Sequence, residues 1–258
     1  MTILVQISDT HLIASSEDHD VADINHPRAV FLRRCVEDIN TLDPQPDAVI
    51  HTGDVTHHAR REEYVLAREI LAELNMPVYI TPGNRDSRAL LKDVFADEGY
   101  MSEHANFIHY AKTIGEVRLV AVDTLADNSN MGDLNDERLA ALKATLDAAP
   151  HTPTALFMHH PPFEISTSKY PFQFVDQEPV EKLTELVRSH PQVIRVFCGH
   201  SHRFYESHVA TAPASTLPST ALDLRLGDGY PATMSDTPVY LVHRFNKDTG
   251  FVSEARKA

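Results

Sequence analysis

The chain has little sulfur and little positive charge. Only two cysteines, Cys35 and Cys198, occur in 258 residues, and they form no spaced pair. No disulfide framework can be built on them. They read as two reduced, buried thiols of a cytoplasmic protein. No apolar stretch approaches the ~20 residues of a membrane span. The N-terminus has no basic region followed by a long apolar run, so no signal peptide is expected. Lys and Arg number 23 against 37 Asp and Glu, a formal net charge of −14. That balance repels a polyanion and argues against a general nucleic-acid binder. It does not exclude a small phosphate ester held by metals. Neither GxGxxG nor GxxxxGK[ST] occurs, so dinucleotide and P-loop sites have no support. There is no internal repeat and no low-complexity tract.

What is present alternates. The runs Ile3–Ile7, Ala48–Ile50, Val78–Ile80, Ala155–Met158 and Val193–Phe197 read as buried strands. Between them, Pro27–Leu42, Glu62–Leu74, Ser87–Phe95, Asn135–Ala148 and Glu178–Ser189 read as helices. Phe107–Tyr110 and Val117–Val122 look like two strands joined at Gly115-Glu116. After His202 the pattern becomes β-rich, with Phe204–Val209, Ala214–Leu217 and Val239–Phe245 as strands. The length suits one domain, 1–258, with 203–258 as its β-rich part. The expected fold is α/β (α+β): two mixed sheets packed together and flanked by helices.

Each of five strand ends is followed by metal-ligand types. These are Asp9-Thr10-His11, Gly53-Asp54, Gly83-Asn84-Arg85-Asp86, His159-His160-Pro161-Pro162 and Gly199-His200-Ser201-His202. In open α/β sheets, ligands bind at the carboxyl ends of strands. The set Asp9, His11, Asp54, Asn84, His159, His200 and His202 offers three oxygen donors and four imidazoles. It suits two divalent cations sharing one carboxylate. Within Asp9-x-His11 and His200-x-His202 the spacing of two puts both side chains on one face, if the chain is extended. Gly53, Gly83 and Gly199 each precede a candidate ligand, among only nine glycines, and allow sharp turns or close approach.

The order of these motifs resembles the calcineurin-like metallophosphoesterases, and among them the bacterial cyclic-nucleotide and glycerophosphodiester phosphodiesterases. The resemblance covers residues 3 to 202 and departs from the family pattern at Arg85, where a histidine is usual. It implies a four-layer αββα sandwich. It implies one metal held by Asp9, His11 and His202, another by Asn84, His159 and His200, and Asp54 bridging them. In that family a bridging hydroxide attacks phosphorus in line. The cofactors would be two divalent or mixed-valence ions. Histidine and oxygen ligands suit manganese, iron or zinc without choosing among them. The implied enzyme is a phosphodiesterase for a small diester, first a 3′,5′-cyclic nucleotide and second a glycerophosphodiester. No nucleic-acid or membrane partner is expected, and a homodimer is.

Further residues carry secondary expectations. Arg85 cannot act as a proton donor but can clamp a phosphate through its fork of donors; its alternative is a solvent-facing pair with Asp86. Asn84 adjoins it in the same role toward substrate. Thr10 is a candidate substrate contact, and His160 a candidate substrate contact or a support behind the ligands. His57-His58 read as loop residues that could also lie behind the ligands, Asp86 as a helix cap with orientation of a ligand as its alternative, and Asp123-Thr124 as a hydrogen-bonding turn. Residues 203–237 are candidates for substrate-shaping loops or oligomer contacts. The alternatives in function are a metal-binding scaffold without catalysis, a nuclease, a phosphomonoesterase or a protein phosphatase.

Overall fold

A computed structural model describes residues 1–14, 23–225 and 237–258. Among the described residues, eleven strands form two mixed sheets. The first contains β1 (Thr2–Ile7), β2 (Ala48–His51), β3 (Val78–Ile80), β10 (Val239–Asn246) and β11 (Gly250–Lys257), in the order β11-β10-β1-β2-β3. The second contains β4 (Tyr110–Ile114), β5 (Val117–Ala121), β6 (Thr154–Phe157), β7 (Val193–Phe197), β8 (Glu206–Val209) and β9 (Ala212–Ser215), in the order β4-β5-β6-β7-β9-β8. Strands β1, β2 and β3 run parallel, as do β5, β6 and β7. Their carboxyl ends carry all five motifs.

The layers follow from the period of two in each strand. Leu119, Ala121, Ala155, Phe157 and Phe197 face the first sheet and share a core with Leu4 and Ile50. Their neighbours Val120, Leu156, Met158 and Val196 face the other way. There they pack on Leu139, Leu142 and Leu146 of helix α4 (Asp136–Asp147) and Leu183 and Val187 of α5 (Glu178–Ser189). On the outer side of the first sheet lie α1 (Pro27–Asn40), which buries Leu32, Val36 and Ile39, and α2 (Arg61–Leu71), which buries Tyr64, Ala67 and Ile70. This is the αββα sandwich.

The β-rich residues 203–258 are divided between the sheets: β8 and β9 extend the second, while β10 and β11 extend the first. Strand β11 was not legible because it is an edge strand with no buried residue, so no apolar period marks it. Phe107–His109 is not strand; the Ile108 amide is satisfied by Asp123 Oδ2 at 2.9 Å instead of by a sheet partner. Residues 226–236 of the loop region noted above lie outside the described residues.

Candidate metal centre

The seven donors meet at the carboxyl ends of β1, β2, β3, β6 and β7. The loops that carry them are stitched by main-chain hydrogen bonds. Asp9 N donates to Gly53 O at 2.9 Å, His11 N to Asp54 O at 3.0 Å, and Gly199 N to His159 O at 2.9 Å. These bonds cross between motifs, so the placement of one ligand depends on another.

The convergence is not achieved by extended chain. Asp9, His11, Asp54, His200 and His202 all have positive φ, between 44° and 68°. Left-handed backbone at a non-glycine residue costs about 1–3 kcal/mol and persists only where the surroundings impose it. The face-sharing expectation for Asp9-x-His11 and His200-x-His202 is therefore corrected in its cause: alternate turns, not a β pleat, aim these side chains. Gly53 has φ +94°, and a Cβ there would sit 2.7 Å from both Gly83 N and His159 Nδ1. A Cβ on Gly83 would collide with the carboxylate and amide of Asp54. Both glycines are needed for close approach.

The donor atoms form two clusters. In the first, Asp9 Oδ1 lies 3.2 Å from His202 Nε2 and 3.8 Å from His11 Nε2, and the two imidazole nitrogens are 3.4 Å apart. In the second, Asn84 Oδ1 lies 3.1 Å from His159 Nε2 and 3.0 Å from His200 Nδ1, which is 3.2 Å from His159 Nε2. Asp54 Oδ2 stands between them, 3.4 Å from His11 Nε2 and 3.6 Å from His159 Nε2. Donors sharing one ion at about 2.0–2.2 Å stand roughly 3.0–3.6 Å apart.

The remaining polar atoms orient the rings. His159 Nδ1 donates to Thr52 O at 2.7 Å, and His202 Nδ1 donates to Leu224 O at 2.8 Å. A carbonyl can only accept, so each bond turns a bare Nε2 toward the cluster. His57 Nδ1 lies 3.4 Å from His11 Nδ1. His200 N donates to Asp9 Oδ2 at 3.2 Å, whereas the buried Asp9 Oδ1 has no hydrogen-bond partner. An orphaned carboxylate oxygen beside bare imidazole nitrogens fits a cation. The electrostatics agree. Burial, then Asp9, pushes the Asp54 carboxyl up to about 8. Burial would raise Asp9 as well, but His202, His159 and His11 hold it far below the usual range. Burial and the His159 ring push His200 down to about 3, leaving it neutral as a ligand must be. The protein's own groups do not balance the charge of Asp54, and a cation would.

Several expected residues sit elsewhere than supposed. Thr10 is buried; its hydroxyl donates to Val55 O at 2.9 Å and lies 3.0 Å from His51 Nε2, so it is not presented to a substrate. His160 lies within ligand distance of His159 and His200. Yet Thr124 Oγ1 at 2.9 Å and Asn130 O at 3.3 Å take its two ring nitrogens. Its ring packs 4.5 Å from that of His200 and buttresses it. Asp86 does not cap a helix: Ser87 caps α3 (Arg88–Val94). The Asp86 carboxylate accepts from the amides of Gly83, Val55 and Thr56 and from Tyr64 Oη, tying the Asp54 loop to the Asn84 loop. Those bonds leave no Arg85–Asp86 pair. Arg85 is exposed, its guanidinium makes no ion pair among the described residues, and its charge acts on Asp54 and His57. Asp123 pairs with Arg88 through both oxygens, as a structural residue. Thr52 O and Leu224 O have no sequence signal, because they act through the main chain.

The comparisons with known proteins agree with this geometry. A probable glycerophosphodiester phosphodiesterase of Arcobacter nitrofigilis is 31% identical over 256 residues, covering 97% of this chain and 91% of the relative. A 3′,5′-cyclic adenosine monophosphate phosphodiesterase of Pseudomonas aeruginosa is 24% identical, covering 87% and 78%. In fold, a dimetal phosphatase from Danio rerio superposes with a TM-score of 0.74 at 15% identity, over 99% of this chain and 96% of the other. The calcineurin-like phosphoesterase profile matches residues 2–204, the span that carries every donor described above, and the chain belongs to that family.

Proposed function

We propose that this protein hydrolyses a small phosphodiester at a dinuclear metal centre. The observation that carries the reading is Asp54 Oδ2, held within 3.6 Å of both donor clusters. Asp9, His11 and His202 would hold one cation and Asn84, His159 and His200 the other, with the Asp54 carboxylate available to both. Two cations there would acidify water and neutralise charge on phosphoryl oxygens. The protein's own work is positional. Thr52 and Leu224 carbonyls fix the tautomers of His159 and His202, Asp86 locks the loops of Asp54 and Asn84 together, and Arg85 reaches the rim as a fork for phosphate oxygens. Arginine stays charged, so leaving-group protonation falls to another group.

Relatives at 31% and 32% identity over 97% and 94% of this chain are named glycerophosphodiester phosphodiesterases, whereas those named for cyclic nucleotides include one at 32% over 62% and one at 24% over 87%. This support moves a glycerophosphodiester ahead of a cyclic nucleotide. Two buried, free thiols fit a reducing cytoplasm, and no helix among the described residues is long and apolar enough to cross a membrane. The test is turnover by metal-counted protein on glycerophosphodiesters, cyclic nucleotides, a bis-aryl phosphate and matched monoesters. Diesters should be preferred. Higher kcat/KM on monoesters across several leaving groups would make it a phosphomonoesterase.

A further inference from the structure

A groove of about 240 Å³ lies beside the donor clusters, lined in part by Thr167, Lys169, Gln173, Ser201, Arg203 and Tyr205. Ser201 sits between His200 and His202 in the chain, so the groove begins within one residue of two donors. Its two walls are joined: Thr167 Oγ1 donates to Tyr205 Oη at 3.1 Å. One wall is a compact turn in which Ile165 N donates to Pro171 O and Ser168 N to Ile165 O. The other is held by Ser201 Oγ donating to Arg203 O at 3.0 Å and Tyr205 N donating to Thr216 Oγ1 at 3.0 Å.

The charge of this groove runs against that of the protein. Acids outnumber bases 37 to 23 in the chain, yet among the described residues no Asp or Glu lines it, while Lys169 and Arg203 do. Among the described residues no carboxylate pairs with Lys169; its Nζ lies 5.4 Å from the centre of the Tyr170 ring. The other lining groups are mostly hydroxyls and an amide, with Ile165 and Tyr205 as the apolar surfaces. A base stacks on aromatic faces, and Tyr205 is the one aromatic ring among the described lining residues, its hydroxyl held by Thr167. A small anionic terminus needs cations and hydroxyl or amide donors, in a volume of this size.

We infer that the groove receives one alcohol substituent of the phosphodiester and selects substituents ending in an anionic group, a carboxylate or a phosphoryl, which Lys169 and Arg203 meet. This rests on the phosphodiesterase reading and narrows its substrate class.

The test compares three 4-nitrophenyl phosphodiesters on metal-loaded protein: the 2-carboxyethyl, the 2-phosphonoethyl and the uncharged propyl ester. An anionic ester should exceed the propyl ester in kcat/KM by about tenfold, the size of one charge-assisted hydrogen bond. The ratio should collapse in Lys169→Met. The carboxylate and phosphonate arms show which terminus is preferred. A second measurement is calorimetric binding of 2-carboxyethylphosphonate against propylphosphonate, with about tenfold tighter binding of the former in the wild type and equal binding in Lys169→Met. Equal kcat/KM on all three esters overturns the groove assignment and leaves the phosphodiesterase reading standing. If no diester is cleaved while 2-carboxyethylphosphonate still binds preferentially, the hydrolytic reading fails and the anion groove stands.

Discussion

The main-chain N–H of Arg85 donates to Asp54 Oδ1 at 2.7 Å. One oxygen of the carboxylate is thereby fixed, and the other, Oδ2, is turned to face both His11 and His159. The residue that departs from the family pattern thus positions the bridging candidate through its backbone, whatever its side chain. The side chain is left exposed for a separate task.

Asp54→Ala should impair both halves of the centre. Wild-type protein is expected to retain roughly two ions per chain at saturation, and the variant about one or fewer. Elemental analysis after gel filtration reads this directly. One tightly held ion in the wild type, with full activity in Asp54→Ala, would be incompatible with a shared carboxylate.

Arg85→Ala should leave metal content intact, because the amide that holds Asp54 remains. Its kcat/KM on the best diester should fall by roughly tenfold to a hundredfold, the loss of a charge-assisted contact of about 1.5–3 kcal/mol. Arg85→Lys should recover only part, since lysine lacks the fork. Wild-type kcat/KM in both variants, with metal counted, would show that the guanidinium does not meet the phosphate.

Gly83→Ala places a Cβ against the Asp54 carboxylate and amide. Relief requires the Asp54 or Asn84 loop to move, and overpacking of this kind costs about 1–3 kcal/mol. Urea unfolding should show the loss in stability, and metal retention should weaken in parallel. Unchanged midpoint and metal content would mean the loops yield freely.

Stripped of metal by chelation, the protein should lose stability as pH rises from 6.5 toward about 8. Burial and Asp9 push Asp54 up to about 8, and burial and Asp54 push Asp86 up to about 7, so folded protein holds protons that the unfolded chain has released. His202 is raised as well: burial would lower it, but Asp9, Asp54 and the Leu224 carbonyl together outweigh burial. The folded state binds more protons across this window, so stability falls with pH. His51 and His200, both pushed down to about 3 by burial, give the opposite slope, but only below 6.5. Saturating manganese should flatten the fall by displacing the protons. Urea midpoints measured with chelator that stay level between pH 6.5 and 8 would contradict a protonated Asp54.

Much of this protein was legible in its order of residues. Strand β1 is buried throughout and apolar at Ile3, Leu4, Val5 and Ile7, and α5 keeps its apolar stripe at helical spacing, so their burial settles type and position. The convergence of Asp9, His11, Asp54, Asn84, His159, His200 and His202, the candidate donors, was legible because each follows such a strand, and strand ends place loops together. What the chain could not declare locally is direction. Five of those residues turn left-handed against their own preference, imposed by bonds such as His11 N to Asp54 O. Thr10, flanked by two donors, points inward to Val55, and Asp86 serves two loops instead of a helix. His11 and His202 meet across 191 positions of sequence. Residue type and spacing determined the chemistry available; only the packing of two sheets decided which atoms face one another, because side-chain aim at a turn depends on partners distant in the chain.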